Sequence, residues 1–172
     1  MKTITIFGSS SSQPDSEEYR VAYELGKALG TAGLTVCNGG YGGTMEASAQ
    51  GAIDVGGRTI GVICTRFGAS ANRFILETIR VETHSERLHK LIEYGDAYVV
   101  LKGSTGTLVE LALVWEYMNK QLMPEKPILI LGDFWKQVVE TLNEEFIFEG
   151  KERATKYVKT VRTIEECVHL LR

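Results

Sequence analysis

Short apolar runs alternate along this chain with longer segments in which apolar positions recur every three or four residues. The runs are Thr3–Phe7, Leu34–Cys37, Thr59–Cys64, Thr78–Val81, Ala97–Leu101, Pro127–Leu131 and Tyr157–Val161. Each is four to six residues long and rich in Val, Ile and Thr, so each predicts a strand. The segments between them predict helices over Glu17–Ala32, Thr44–Val55, His84–Tyr94, Thr107–Gln121, Phe134–Phe148 and Ile164–Leu171. Strand and helix in alternation predict an α/β fold. Its sheet is doubly wound and mainly parallel, with about seven strands and helices on both faces. Nearly continuous apolar strands suit a sheet covered on both sides. In such a sheet ligands bind beyond the carboxyl ends of the strands, which points to the loops after Phe7, Cys37 and Leu101.

At 172 residues the pattern is that of a single domain spanning 1–172. No apolar run approaches the roughly 18 residues of a membrane span, so no membrane partner is expected. The opening MKTITIF does not read as a signal peptide, and a cytoplasmic location is expected. A net charge of −3 without a basic patch argues against nucleic acid as partner. Cys37, Cys64 and Cys167 are widely spaced and form no CxxC, so they read as free, buried or half-buried thiols in a reducing compartment. No metal site is implied, because no His/Cys/Asp cluster has ligand spacing.

Among the 18 glycines, clusters mark three loops. The first is Gly8-Ser9-Ser10-Ser11-Ser12. Its hydroxyls suit an anionic or hydroxylated ligand, and equally a polar turn leading to Asp15 as a helix cap with Glu18. The second is Asn38-Gly39-Gly40-Tyr41-Gly42-Gly43-Thr44, followed by Met45, at the start of a helix where phosphate binds readily. The third is Lys102-Gly103-Ser104-Thr105-Gly106-Thr107, which also opens a helix. It is no Walker A loop, since no Lys follows Gly106. Thr107 and Glu110 fit a capping box as well as they fit chemistry. Thr83 and Glu86 match a second box. Arg87 then falls in the first turn, where a cation is mildly unfavourable against the helix dipole. It is either a solvated surface arginine or one with a carboxylate or phosphate partner. The stretch 66–77 reads as a mobile loop, with Asn72 and Arg73 as candidate contacts.

Taken together, Glu86-Arg87, the strand DAYVVL and Lys102-Gly103-Ser104-Thr105-Gly106-Thr107-Leu108-Val109-Glu110 resemble the LOG family. These are the cytokinin riboside 5′-monophosphate phosphoribohydrolases, a group also labelled lysine decarboxylases. The family's pattern is an Arg-bearing helix, a strand, then PGGxGTxxE. Its GGGxxGLM segment is similar to Gly39–Met45. The resemblance runs from the first strand through Pro127. It departs where the family's proline is Lys102, its second glycine is Ser104, and the Lys after the arginine is Leu88. The His two residues before that arginine becomes Ser85, beside His84.

The resemblance implies a Rossmann-like homodimer that hydrolyses the N-glycosidic bond of an adenine-type nucleoside 5′-monophosphate, without cofactor or metal. Arg87 and Glu110 then map to the catalytic pair. Gly8, Ser9, Gly39, Gly40, Gly43, Met45, Gly103, Ser104, Thr105, Gly106 and Thr107 map to substrate binding. By chemistry, Glu110 would stabilise an oxocarbenium-like transition state and activate water, while Arg87 would position groups without donating a proton. A pyridoxal phosphate decarboxylase would need a Schiff-base lysine in the pocket; Lys102 is the only lysine on a phosphate-type loop, and that reading is set aside. The alternative is a non-catalytic nucleotide- or molybdenum-cofactor carrier of the same fold, which the changes at Lys102 and Ser104 favour. On the helix Thr107–Gln121, Leu111, Val114, Trp115 and Met118 form one stripe, and Tyr117 on another face suggests a dimer partner.

Overall fold

The structure, a computed structural model, describes residues 1–172. Seven strands form one all-parallel sheet in the order β4-β3-β2-β1-β5-β6-β7. The strands are β1 (Thr3–Phe7), β2 (Thr35–Asn38), β3 (Thr59–Cys64), β4 (Glu77–Val81), β5 (Ala97–Val100), β6 (Ile128–Leu131) and β7 (Val158–Val161). The helices are α1 (Glu17–Thr31), α2 (Thr44–Asp54), α3 (His84–Tyr94), α4 (Thr105–Asn119), α5 (Lys136–Phe148) and α6 (Ile164–Leu171). This is the doubly wound α/β fold that the hydrophobic pattern predicts.

Side chains alternate across the sheet and feed two cores. Phe7, Tyr98 and Val100 point to the face covered by α3, α4 and α5, where Leu91, Trp115 and Val139 meet them. Ile4, Ile6 and Val99 point to the face covered by α1, α2 and α6. Trp115 anchors the first core. It is fully buried, its Nε1–H donates to Ala154 O at 2.8 Å, and Phe146 packs edge-on at 5.3 Å. The cysteines are all free and buried, as expected, and burial pushes the Cys37 and Cys167 thiols up to about 12.

The chain lays down β1 to β4 outward in one direction, then returns to place β5 on the other side of β1. The two connections leaving β1 and β5 therefore diverge to opposite sides, which opens a crevice at their carboxyl ends. The loop after β1 carries the serines, and the loop after β5 carries Lys102 to Ser104.

Several local expectations change. Ser16, not Asp15, caps α1, its Oγ accepting from Tyr19 N–H at 3.2 Å. Helix α4 begins two residues earlier than the periodicity predicts, with Ser104 as N-cap. Thr107 and Glu110 thus lie inside the helix, and their capping-box reading falls. The Thr83–Glu86 box is present in both directions. The stretch after β3 forms a short 3-10 turn at Thr65–Phe67 and is then pinned. Asn72 donates from its backbone and its Nδ2 to Gly40 O, and from Nδ2 to Tyr41 O. Thr59 Oγ1 donates to Phe74 O and accepts from Leu76 N–H. A freely mobile loop has no such anchors.

No helix is long and apolar enough to cross a membrane.

Candidate active site

Arg87 is buried, so the surface-arginine reading falls. It leaves the first turn of α3 and crosses the carboxyl edge of the sheet. Its Nε–H donates to Val62 O on β3 at 2.9 Å. The guanidinium lies 5.3 Å from the Tyr41 ring centroid and 6.0 Å from that of Phe67, near enough for cation–π attraction. Tyr41 is itself fixed, its hydroxyl donating to Cys64 O and accepting from Cys64 N–H. Room for the guanidinium comes from Gly39, where any Cβ would overlap Arg87 Nη2. Met45 Sδ lies 3.9 Å from the same nitrogen.

Across from it, on the buried face of α4, stands Glu110. Arg87 Nη1 and Glu110 Oε1 are 3.9 Å apart, with both side chains nearly closed off from solvent. That distance is an ion-pair contact and too long for a hydrogen bond. Donor and acceptor therefore keep unused capacity toward a third group. Burial raises the Glu110 carboxyl to about 7, against the opposing pull of Arg87. Desolvation outweighs the ion pair because the guanidinium stands too far off to bond the carboxylate. Glu110 can thus gain or lose a proton near neutrality, as a general base or acid requires.

Thr107 lies one helical turn before Glu110 on the same buried face. Gly103 folds directly over it, and a Cβ at Gly103 would overlap Thr107 Oγ1. Ser104 caps α4 by backbone position alone, without a side-chain bond, so its hydroxyl and the helix N-terminus remain available. Against this loop lies a cavity of about 420 Å³ with no hydrophobic lining residue. Ser9, Ser11, Ser12, Gln13, Ser16, Glu18, Lys102, Gly103 and Ser104 surround it. Hydroxyls, a lysine and an uncapped helix start suit an anion of phosphate type.

The structure thus brings Ser9, Gly103 and Ser104 to one cavity, and Gly39, Met45, Arg87 and Glu110 to one cluster. Thr107 lies between them, while Thr105 and Gly106 are exposed in the first turn of α4. The second glycine loop serves the frame more than a ligand. Ser9 O accepts from Thr44 N–H and from Thr44 Oγ1, which occupies the first amide of α2 and stitches the serine loop to it beside Gly8 and Gly43. Gly40 is buried, and both its polar groups bond within the chain: N–H to Asn38 Oδ1 and O to Asn72. Asn72 is spent on that backbone, and Arg73 stacks on Phe74 at 4.7 Å.

Tyr41 and Phe67 escape the sequence reading as site residues. Tyr41 stands within a glycine loop, which is a signal; Phe67 offers none. The stripe Leu111, Val114, Trp115 and Met118 belongs to the chain's own core. Tyr117 is half-buried, its hydroxyl 2.6 Å from His89 Nε2. The exposed apolar residues of α4 are instead Leu108 and Val109.

The model of the SLOG cluster4 family matches residues 1–168. A cytokinin riboside 5′-monophosphate phosphoribohydrolase of Mycobacterium tuberculosis is 33% identical over 138 residues, which is 77% of this chain and 71% of that protein. The protein of that name from Rhodococcoides fascians is 29% identical over 138 residues, 77% of this chain and 68% of its own. Among solved structures, the molybdenum cofactor binding protein of Rippkaea orientalis superposes with a TM-score of 0.77 at 23% identity, covering 99% of this chain and 94% of that one.

Proposed function

The chain belongs to the SLOG cluster4 family, and from that premise we propose that it is a phosphoribohydrolase. It releases a free adenine-type base and ribose 5-phosphate from a nucleoside 5′-monophosphate. The observation that carries this reading is Glu110: a buried carboxyl raised to about 7, facing an arginine with unused donors, on the same helix whose N-cap, Ser104, lines an anion-suited cavity.

In this reading the 5′-phosphate sits against Gly103, Ser104 and Thr107 with the serine loop, and the ribose reaches Arg87 and Glu110. Ionised Glu110 accepts a proton from a water molecule as the water oxygen bonds to C1′. The C1′–N bond breaks with its electron pair going to the base, which takes a proton from solvent. Carboxylate charge under C1′ favours the oxocarbenium-like transition state. Arg87 orients Glu110 and ribose hydroxyls through its guanidinium donors. The phosphate supplies binding energy far from the bond that breaks, so nucleosides are poor substrates.

The test is incubation with a panel of nucleoside 5′-monophosphates and with adenosine, analysed for free base and ribose 5-phosphate. Release from a monophosphate, none from adenosine, and loss in Glu110→Ala support the reading.

A second reading, binding without turnover, has its own observation. Lys102, where the hydrolases carry proline, is tied to Glu18 at 2.6 Å, a contact that proline could not make. The structural likeness to a molybdenum cofactor binding protein fits it too. Ligand-induced stabilisation without base release would favour it. We also infer a homodimer through Leu108 and Val109, exposed and apolar on α4. Val109→Glu should convert a dimer to a monomer in light scattering, and a wild-type monomer at micromolar concentration would end the idea.

A further inference from the structure

The polar cavity has a neighbour. A second cavity, of about 500 Å³, opens on the far side of Lys102 and Glu18, and these two residues line both spaces. Lys102 Nζ lies 2.6 Å from Glu18 Oε1, so one ion pair forms the wall between them. The pair is exposed on the lysine side and so is weakly held. An anion entering the polar cavity competes with Glu18 for the same ammonium.

The two spaces differ in chemistry. The first has no hydrophobic lining, whereas the second carries Val21, Leu131, Phe134 and Ile164 with Asp133 and Arg162. Phe134 is 52% exposed although its ring is fixed edge-on to Trp135 at 5.0 Å. Lys102 Nζ already stands 5.8 Å from its centroid. The carboxylates of Glu17, Glu18 and Asp133 outnumber the two cations there, which disfavours a free second phosphate. They suit a neutral group with hydroxyl donors, and the exposed Phe134 ring suits one with a flat face.

We propose that the two cavities are halves of one groove gated by the Lys102–Glu18 pair, and that this groove takes a nucleotide joined through a diphosphate to a second nucleoside. Lys102 leaves Glu18 for the diphosphate, Asp133 accepts from a ribose hydroxyl, and the second base stacks on Phe134. This rests on the phosphate placement at Gly103–Thr107 given above.

The test compares dissociation constants of AMP, ADP and diadenosine diphosphate in a Glu110→Ala background, which does not turn AMP over, with Phe134 intact and with Phe134→Ala, and assays base release from AMP in the wild type. Diadenosine diphosphate should bind at least tenfold more tightly than AMP, with ADP gaining less than threefold. Phe134→Ala should erase that advantage and leave AMP binding within twofold. Glu18→Gln, which frees Lys102, should tighten diadenosine diphosphate further. Equal affinities for AMP and diadenosine diphosphate, or an advantage that survives Phe134→Ala, would overturn the groove while leaving the hydrolase reading intact. Tight diadenosine diphosphate binding with no base released from AMP would support the groove and remove the hydrolase. If none of the three binds, both fall.

Discussion

Replacing Glu110 by Gln should stabilise the protein above neutral pH. The carboxyl ordinarily titrates near 4.5 and is raised to about 7 by burial in the fold. A raised pKa means the folded state holds the proton more tightly than the unfolded chain does. The stability that this proton brings is complete below about pH 4.5 and is lost as pH rises through about 7. At about 1.4 kcal/mol per pH unit, the ionised carboxylate costs the fold about 3 kcal/mol at pH 8. Gln has the same shape and never ionises, so it escapes that loss. Chemical denaturation of wild type and Glu110→Gln should give similar stabilities at pH 4 and a gap of about 3 kcal/mol in favour of the variant at pH 8. In a chain of this length that gap is roughly 6–12 °C in Tm. The two proteins differ at this one side chain, so the pH dependence of their difference reports on this carboxyl. A gap that stays constant within about 0.5 kcal/mol from pH 4 to pH 8 would refute the reasoning.

Three further outcomes follow from the same geometry. If Glu110 is the base, kcat/KM for base release should rise with pH through about 7 and then level off; a flat profile from pH 5 to 8 would assign the proton transfer elsewhere. Gly39→Ala should displace the Arg87 guanidinium, a flexible side-chain end, so activity should fall at least 100-fold while Tm moves by only a few degrees; retained activity would show that Arg87 need not stay where it is. Asn72→Ala removes the donor to the Tyr41 carbonyl and the acceptor of Phe74 N–H, while the backbone bond to Gly40 O survives; it should cost about 1–3 kcal/mol, with faster proteolysis after residue 68, and unchanged cleavage would mean the segment is held by other contacts.

The strands and helices were legible because their signals are local. Period two, period three-to-four and glycine punctuation placed all seven strands to within a residue or so. Glu110 was legible through its place in the motif, but its environment was not. Arg87 shows why. Its chain neighbours make it a first-turn cation, and only long-range facts bury it: Gly39 leaves space, Val62 O accepts, and α4 supplies a carboxylate. The anchoring of 68–76 was likewise hidden, since it depends on one asparagine reaching a backbone some thirty residues away. The start of α4 was misjudged because Ser104 caps by backbone position without a side-chain bond, and the Thr107–Glu110 spacing imitated a cap.

Because β1 lies mid-sheet between β2 and β5, the chain divides at Gly95 into two pieces that each hold one member of the buried pair. Arg87 and the serine loop are synthesised first; Glu110 and the Lys102 loop follow. A chain ending before β5 leaves one edge of β1 unpaired and carries half of the candidate site. Severed at that point, fragments 1–95 and 96–172 would each lack one member of the buried pair, and on the proposed hydrolase reading base release would report their reunion.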